Sequence, residues 1–208
     1  MIEYVQLHNP DDRVLKKASQ ILSEENIICF PTDTSWILAA CITKKKAIEK
    51  LYKIKHENDK KHFSILCNDI SRATEVAQID NNAFKILKKI IPGNYTFIFE
   101  ATKQLAKQIK ASKTDKEVGV RFVPSILVNK LIEIHGELLI STNIPKSLFN
   151  NEDQIYSYML EDSISHLTDL IIDPGEFEFS GESTIINLAN PGRPQVVREG
   201  SGDFSLFQ

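Results

Sequence analysis

Long apolar runs are scarce in this sequence. The longest, Trp36 to Ile42, falls well short of the roughly 20 residues that a membrane-spanning helix needs, so a helical span is excluded. The opening Met1-Ile2-Glu3-Tyr4 has no basic start followed by an apolar stretch, so no secretory leader is read and a cytoplasmic protein is expected. Cysteine is sparse as well: Cys29, Cys41 and Cys67 stand far apart, each in an apolar run, with no C-x-x-C pair. That spacing argues against a zinc knuckle or a thioredoxin-like pair and for small buried hydrophobes. The eight glycines form neither G-x-x-x-x-G-K-[ST] nor G-x-G-x-x-G, which removes the P-loop and the dinucleotide fingerprint. His8, His56, His62, His135 and His166 lack the spacing of ligands on one face, and no H-E-x-x-H, G-x-S-x-G or paired-carboxylate motif occurs. No protein-held metal and no hydrolytic triad are expected.

What the chain does have is apolar content enough for a core: 42% of its 208 residues are hydrophobic against 25% charged, which sets it apart from disordered chains. The net charge of −3 announces no polyanion partner, but its distribution is uneven. Residues 44–61 carry eight lysines against Glu49, Glu57 and Asp59, whereas 149–208 carry eleven carboxylates against Arg193 and Arg198. The lysine stretch is either a solvated helix face or a surface for an anion.

Short apolar runs alternate with helical periods along the whole chain. Asn26–Phe30 and Trp36–Ile42 read as buried strands, and Thr43 caps a lysine-rich amphipathic helix over 44–55. Strands are expected at Glu3–Leu7, Phe63–Cys67, Tyr95–Phe99, Val118–Val123, Leu138–Ser141, Leu170–Asp173, Thr184–Leu188 and Gln195–Arg198. Helices are expected from Pro10 to about Glu25 and over Ser71–Ala77, Asn82–Ile91, Lys103–Lys110 and Ser125–Ile134, with one more ending at Leu160 after a polar segment at 145–153. Without a strict βαβ period, this order predicts an α/β fold with a sheet of mixed direction, in a single domain over 1–208.

Small polar residues gather where the strands end. Thr32-Asp33-Thr34, Ser141-Thr142-Asn143 and Ser183-Thr184 either satisfy local turns or converge on a ligand beside the sheet. Arg121 lies inside an apolar strand and needs a partner there, a carboxylate of the chain or an anionic ligand.

Six blocks in order carry a resemblance. They are Phe30-Pro31-Thr32-Asp33-Thr34, the Lys55 to Lys61 loop, Pro92-Gly93-Asn94-Tyr95-Thr96, Val118 to Pro124, Ser141-Thr142-Asn143 and Gly181 to Ile186, closed by Val197-Arg198-Glu199-Gly200. Together they resemble the YrdC/YciO-like family over nearly the whole chain. The resemblance implies a twisted sheet with flanking helices and a concave basic cavity, and threonylcarbamoyl-AMP synthase activity. That activity condenses L-threonine, bicarbonate and ATP, with Mg2+ on the phosphates, for a later tRNA modification; affinity for tRNA or double-stranded RNA is also implied. By position, Thr32 and Thr34 would hold the threonine end, and Lys55 and Lys61 would face the triphosphate. Arg121, Ser141 and Asn143 would contact the carbamate and phosphate, and Ser183 and Arg198 would complete the nucleotide pocket. Three departures point to the YciO-type branch: Lys55-His56-Glu57 where synthases have K-x-R, Trp36 to Cys41 for a glycine-rich Y-G-L-G-C, and Pro92-Gly93-Asn94-Tyr95-Thr96 for P-G-P-x-T. An RNA- or nucleotide-binding protein without the synthase step is therefore the alternative expectation.

Overall fold

The structure, a computed structural model, describes residues 1–54, 63–108, 116–144, 156–176, 178–190 and 193–207. Among the described residues ten strands form one sheet: β1 (Ile2–Tyr4), β2 (Ile28–Pro31), β3 (Trp36–Cys41), β4 (Ser64–Leu66), β5 (Tyr95–Glu100), β6 (Glu117–Arg121), β7 (Leu139–Asn143), β8 (Leu170–Asp173), β9 (Thr184–Asn187) and β10 (Gln195–Arg198). Their order across the sheet is β1-β8-β2-β3-β7-β4-β6-β5-β9-β10. Four parallel pairs (β1 with β8, β8 with β2, β4 with β6, β5 with β9) are combined with five antiparallel ones, so the mixed direction expected from the sequence holds among the described residues. Every residue of β2 and β3 is buried, which is why both read as unbroken apolar runs rather than alternating ones.

Among the described residues seven α-helices flank the sheet: α1 (Asp12–Ser23), α2 (Lys45–Ile54), α3 (Ile70–Thr74), α4 (Asn81–Ile90), α5 (Lys103–Gln108), α6 (Ile126–His135) and α7 (Ser157–Ile164). Asp11 caps α1 by accepting from the Arg13 N–H, and Val14, Leu15, Ala18 and Leu22 form its buried stripe. The helix closes with Glu25 in the left-handed region (φ 64°), while the Asn26 N–H reaches back to the Ile21 carbonyl at 3.3 Å. α6 is capped by Ser125 and stopped by Gly136 at φ 79°, and it packs along α1. α2 lays Ala47, Ile48 and Leu51 against β3 and β7.

Several boundaries differ from the sequence expectation for identifiable reasons. α3 stops at Thr74 rather than Ala77 because the chain there joins the end of β5: Ala77 bridges Ala101, and the Gln78 N–H donates to the Glu100 carbonyl. α7 runs to Ile164, past the expected Leu160, to bury Ile164 beside Leu160. The Thr43 hydroxyl lies 3.1 Å from Cys41 Sγ instead of at a helix N–H. The polar segment at 145–153 lies outside the described residues.

Candidate functional site

Residues paired in register share a face of the sheet, so the ladder sorts the side chains. One face carries Leu38, Ala40, Ile140, Ile65, Val120, Phe97 and Ile186, apolar side chains with Thr142 opposite Leu38 among them. The other carries Ala39, Ser141, Ser64, Gly119 and Ile98 in a row across five strands, with Asn143, Arg121 and Thr96 two residues along β7, β6 and β5. Alternation thus puts Ser141 and Asn143 on this polar face and turns Thr142 to the opposite one. A Cβ on Gly119 would stand 3.1 Å from the Phe63 carbonyl oxygen and 3.3 Å from Ser64 Oγ, so the smallest residue sits where the face is most crowded.

Arg121 ties this face to the β2–β3 hairpin. Its Nη2 donates to Asp33 Oδ1 at 2.6 Å and its Nη1 to Thr34 Oγ1 at 3.0 Å. Two strands separate β3 from β6, and in a flat sheet β3 and β6 would stand roughly 14 Å apart, beyond the reach of an arginine. The sheet therefore curls, and the hairpin tip folds over its polar face. The Ser180 N–H, from the connection between β8 and β9, holds the tip by donating to the Asp33 carbonyl at 2.8 Å. Thr32 serves the turn itself: its Oγ1 donates to the Ser35 carbonyl and accepts from the Thr34 and Ser35 N–H groups. Of the two partners open to Arg121 from sequence, the structure supplies the carboxylate.

The Asp33–Arg121 pair is buried and incompletely bonded. Asp33 Oδ2, Arg121 Nε and Ser35 Oγ have no hydrogen-bond partner. Burial pushes the Asp33 carboxyl above its ordinary pKa, against the pull of the Arg121 charge. Burial also lowers the Arg121 pKa, opposed by Asp33 and reinforced by the charge of Arg198, so the two guanidiniums feel one another.

Arg198 stands at the far strand. Its Nε and Nη2 donate to the Ser183 carbonyl at 3.2 and 2.7 Å, Nη2 also reaches Ser183 Oγ, and Nη1 meets Glu182 Oε2 at 3.0 Å. Ser183 Oγ lies 2.8 Å from Thr96 Oγ1 on β5, which links Arg198 to the row described above. The glycine of the Val197-Arg198-Glu199-Gly200 block has a steric reason: a Cβ there would stand 2.6 and 2.7 Å from the carbonyl carbon and oxygen of Ser183.

The structure thus joins Thr32 and Thr34 to Arg121 at the hairpin tip and Arg198 to Ser183 and Thr96, on the face that also carries Ser141 and Asn143; Asn143 is level with Ile37 and Arg121 with Leu66 and Leu139, on opposite sides of the row. Lys55, Lys61 and Glu57 lie outside the described residues. The sequence places Asp33 in the first polar cluster and Thr96, Gly119 and Glu182 within the motif blocks without giving them a role of their own, and it does not mark Ser64. The need of Arg121 for a partner was the one signal that could have found Asp33. Among the described residues, no group of three or more His, Cys, Asp or Glu could hold a metal ion. A separate cavity of about 310 Å3, between α4 and the β9–β10 connection, is lined by Asp80, Lys85, Leu188 and Arg193. None of the polar-face residues lines it, and Asp80 is already engaged in capping α4.

Comparison with known proteins agrees with this fold. The sequence model of the Sua5, YciO and YrdC proteins, described as telomere recombination, matches residues 20–200. The chain is 33% identical to YciO of Escherichia coli K12, itself uncharacterized, over 98% of this chain and 97% of that one. The crystal structure of Escherichia coli YciO superposes with a TM-score of 0.89 at 30% identity, covering 100% and 99% of the two chains. A putative threonylcarbamoyl-AMP synthase of Methanocaldococcus jannaschii is 22% identical over 94% of this chain and 92% of its own. Pyrococcus abyssi Sua5, solved with L-threonine, shares the fold with a TM-score of 0.78 at 20% identity, over 96% of this chain and 57% of that one.

Proposed function

This chain belongs to the Sua5/YciO/YrdC family, and from that premise we propose that it is an enzyme of the threonylcarbamoyl-AMP synthase kind, with its site on the polar face of the sheet. The observation that carries the reading is the joining of Arg121 to the Thr32–Thr34 hairpin tip and of Arg198 to Ser183 and Thr96, on the face of the sheet that also carries Ser141 and Asn143. These groups are donors suited to carboxylate and phosphate oxygens, and none is a covalent nucleophile poised beside a base.

The reaction asks for positioning rather than covalent catalysis. Bicarbonate loses hydroxide to become CO2, the threonine amine forms an N–C bond to that carbon and gives up a proton, and the hydroxide and proton leave together as water. A carbamate oxygen then attacks the α-phosphorus, the bond to the β-phosphate oxygen breaks, and pyrophosphate departs. Thr32 and Thr34 would hold the amino acid, Lys55 and Lys61 the triphosphate, Arg121, Ser141 and Asn143 the carbamate and α-phosphate, and Ser183 and Arg198 the nucleotide. The donor set of hydroxyls, amide and guanidiniums suits phosphate better than bare Mg2+, so the cation would enter on the phosphates of ATP.

Pyrophosphate release from ATP and Mg2+, with L-threonine and bicarbonate each added or omitted, tests the proposal. Release that needs both and falls in Lys55→Ala supports it. The second reading, a nucleotide or RNA binder without the synthase step, is favoured by Glu57 in place of a cation. No release, with ATP or RNA still bound, establishes that reading instead, and RNA binding would then weaken steeply with salt.

A further inference from the structure

Arg121 has the chemistry to bind an anion but is not free to do so. Its side chain is only 5% exposed, and both Nη nitrogens donate to the β2–β3 hairpin tip, Nη2 to Asp33 Oδ1 at 2.6 Å and Nη1 to Thr34 Oγ1 at 3.0 Å. Asp33 is nevertheless a poor occupant. A guanidinium grips a carboxylate best through two parallel bonds, yet Arg121 Nε and Asp33 Oδ2 are buried without partners, so the two groups are joined through a single nitrogen and a single oxygen. The tip is also a unit in itself, because the Thr32 hydroxyl bonds back to Thr34 and Ser35 within the turn. Outside its own hairpin, and among the described residues, it is fastened by the bonds from Arg121 and by the Ser180 N–H on the Asp33 carbonyl. Lifting it would return the idle polar groups to water or offer them to a ligand.

We propose that this tip is a latch on the site: Asp33 stands in for an oxyanion, and the carboxylate or phosphate of the ligand reaches Arg121 by displacing it. The incoming oxyanion can use Nε and Nη2 together, a bidentate grip that Asp33 does not achieve. Release of Asp33 also frees Thr34 Oγ1, which accepts from Nη1 in the closed form, to meet the ligand. Apparent affinity is then lowered by the share of molecules in which the latch is shut. This inference rests on the reading of the polar face as the ligand site and adds what guards it.

Titration calorimetry with L-threonine, which brings a carboxylate, and with ATP and Mg2+, which bring phosphates, compares wild type with Asp33→Asn, a change that keeps the shape of the side chain and weakens its hold on Arg121. At least one of the two ligands should bind about tenfold more tightly to the variant, as expected where the shut form outnumbers the open one by about ten to one, and that ligand identifies the oxyanion seated on Arg121. Trp36, the single tryptophan, is buried and pairs with Pro31 at the foot of the tip, so its emission in the wild type should shift as that ligand binds. The emission decides the matter should Asp33→Asn not fold. Affinities for both ligands that are unchanged or weaker in Asp33→Asn would make Asp33 a fixed strut for Arg121, and so would binding to wild type with no change in Trp36 emission; either result overturns this inference alone. Binding of neither ligand to wild type, or to the variant where it folds, overturns the reading of the face and the inference with it.

Discussion

Replacing Asp33 by alanine leaves the Arg121 guanidinium charged, 5% exposed and without its counter-ion. Stripping one partner from a buried pair costs about 3–5 kcal/mol, because the remaining charge has lost its water and gained nothing. Against a total stability of roughly 5–15 kcal/mol this is a large fraction. At about 2–4 °C per kcal/mol for a chain of this size, the melting temperature should fall by roughly 6–20 °C. Arg121→Met strips the other side, and the two losses differ in kind. The Asp33 carboxyl can shed its charge by taking a proton, and burial already raises its pKa above the ordinary 3.8. A group with a raised folded-state pKa is favoured by acid, so the deficit of Arg121→Met should shrink as the pH falls toward that unfolded value. The deficit of Asp33→Ala should not shrink, since arginine stays protonated. The double variant removes both charges and should lie within about 2 kcal/mol of wild type, a coupling that urea unfolding of all four proteins measures. An Asp33→Ala loss below about 1 kcal/mol, or single losses that merely add in the double variant, refutes the account of a buried interdependent pair.

Glu25→Gly should stabilise by about 0.5–1 kcal/mol, because glycine adopts φ 64° without a Cβ penalty and the exposed bridge to Lys46 is worth little; a shift of the urea midpoint at constant slope checks it. Gly200→Ala should destabilise by about 1–3 kcal/mol and weaken nucleotide binding, since its methyl would displace the Ser183 carbonyl that Arg198 grips; melting and titration read the two effects separately. Burial lowers the His135 pKa below 6.5, helped by Lys44 and opposed by Glu137 and the bond to Ser19, so the native protein binds fewer protons than the unfolded chain in that range. Stability should therefore be full above pH 6.5 and drop as the pH falls through the folded pKa, and His135→Gln should flatten that part of the profile of melting temperature against pH.

Much of the local structure is legible because local chemistry decides it. β8 and β10 occur at Leu170–Asp173 and Gln195–Arg198, where short branched runs predict them, and Asp11, Asp80 and Ser125 stand where caps belong. The order of the strands is another matter, since nothing near Ile28 in sequence announces that β8 will lie beside it. The same holds for the site. Arg121 declares its need for a partner by sitting among valines, but Asp33 is 88 residues away and looks like any turn aspartate. Sequence alternation separates Ser141 and Asn143 from Thr142 once β7 is known to be a strand. That Thr96 and Ser64 join them follows only from register.

The seat of β8 between β1 and β2 also dictates when the fold can close. Thr168 Oγ1 donates to the Ile27 carbonyl across 141 residues, and among the described residues β1 has no neighbour in the sheet except β8. On a ribosome, the first two strands must wait until more than three-quarters of the chain has been made, with one edge of the fully apolar β2 unpaired throughout. Contacts of such long separation slow folding and leave an adhesive edge open to other chains. This protein should thus depend on chaperone protection during synthesis more than its ordinary size and composition imply.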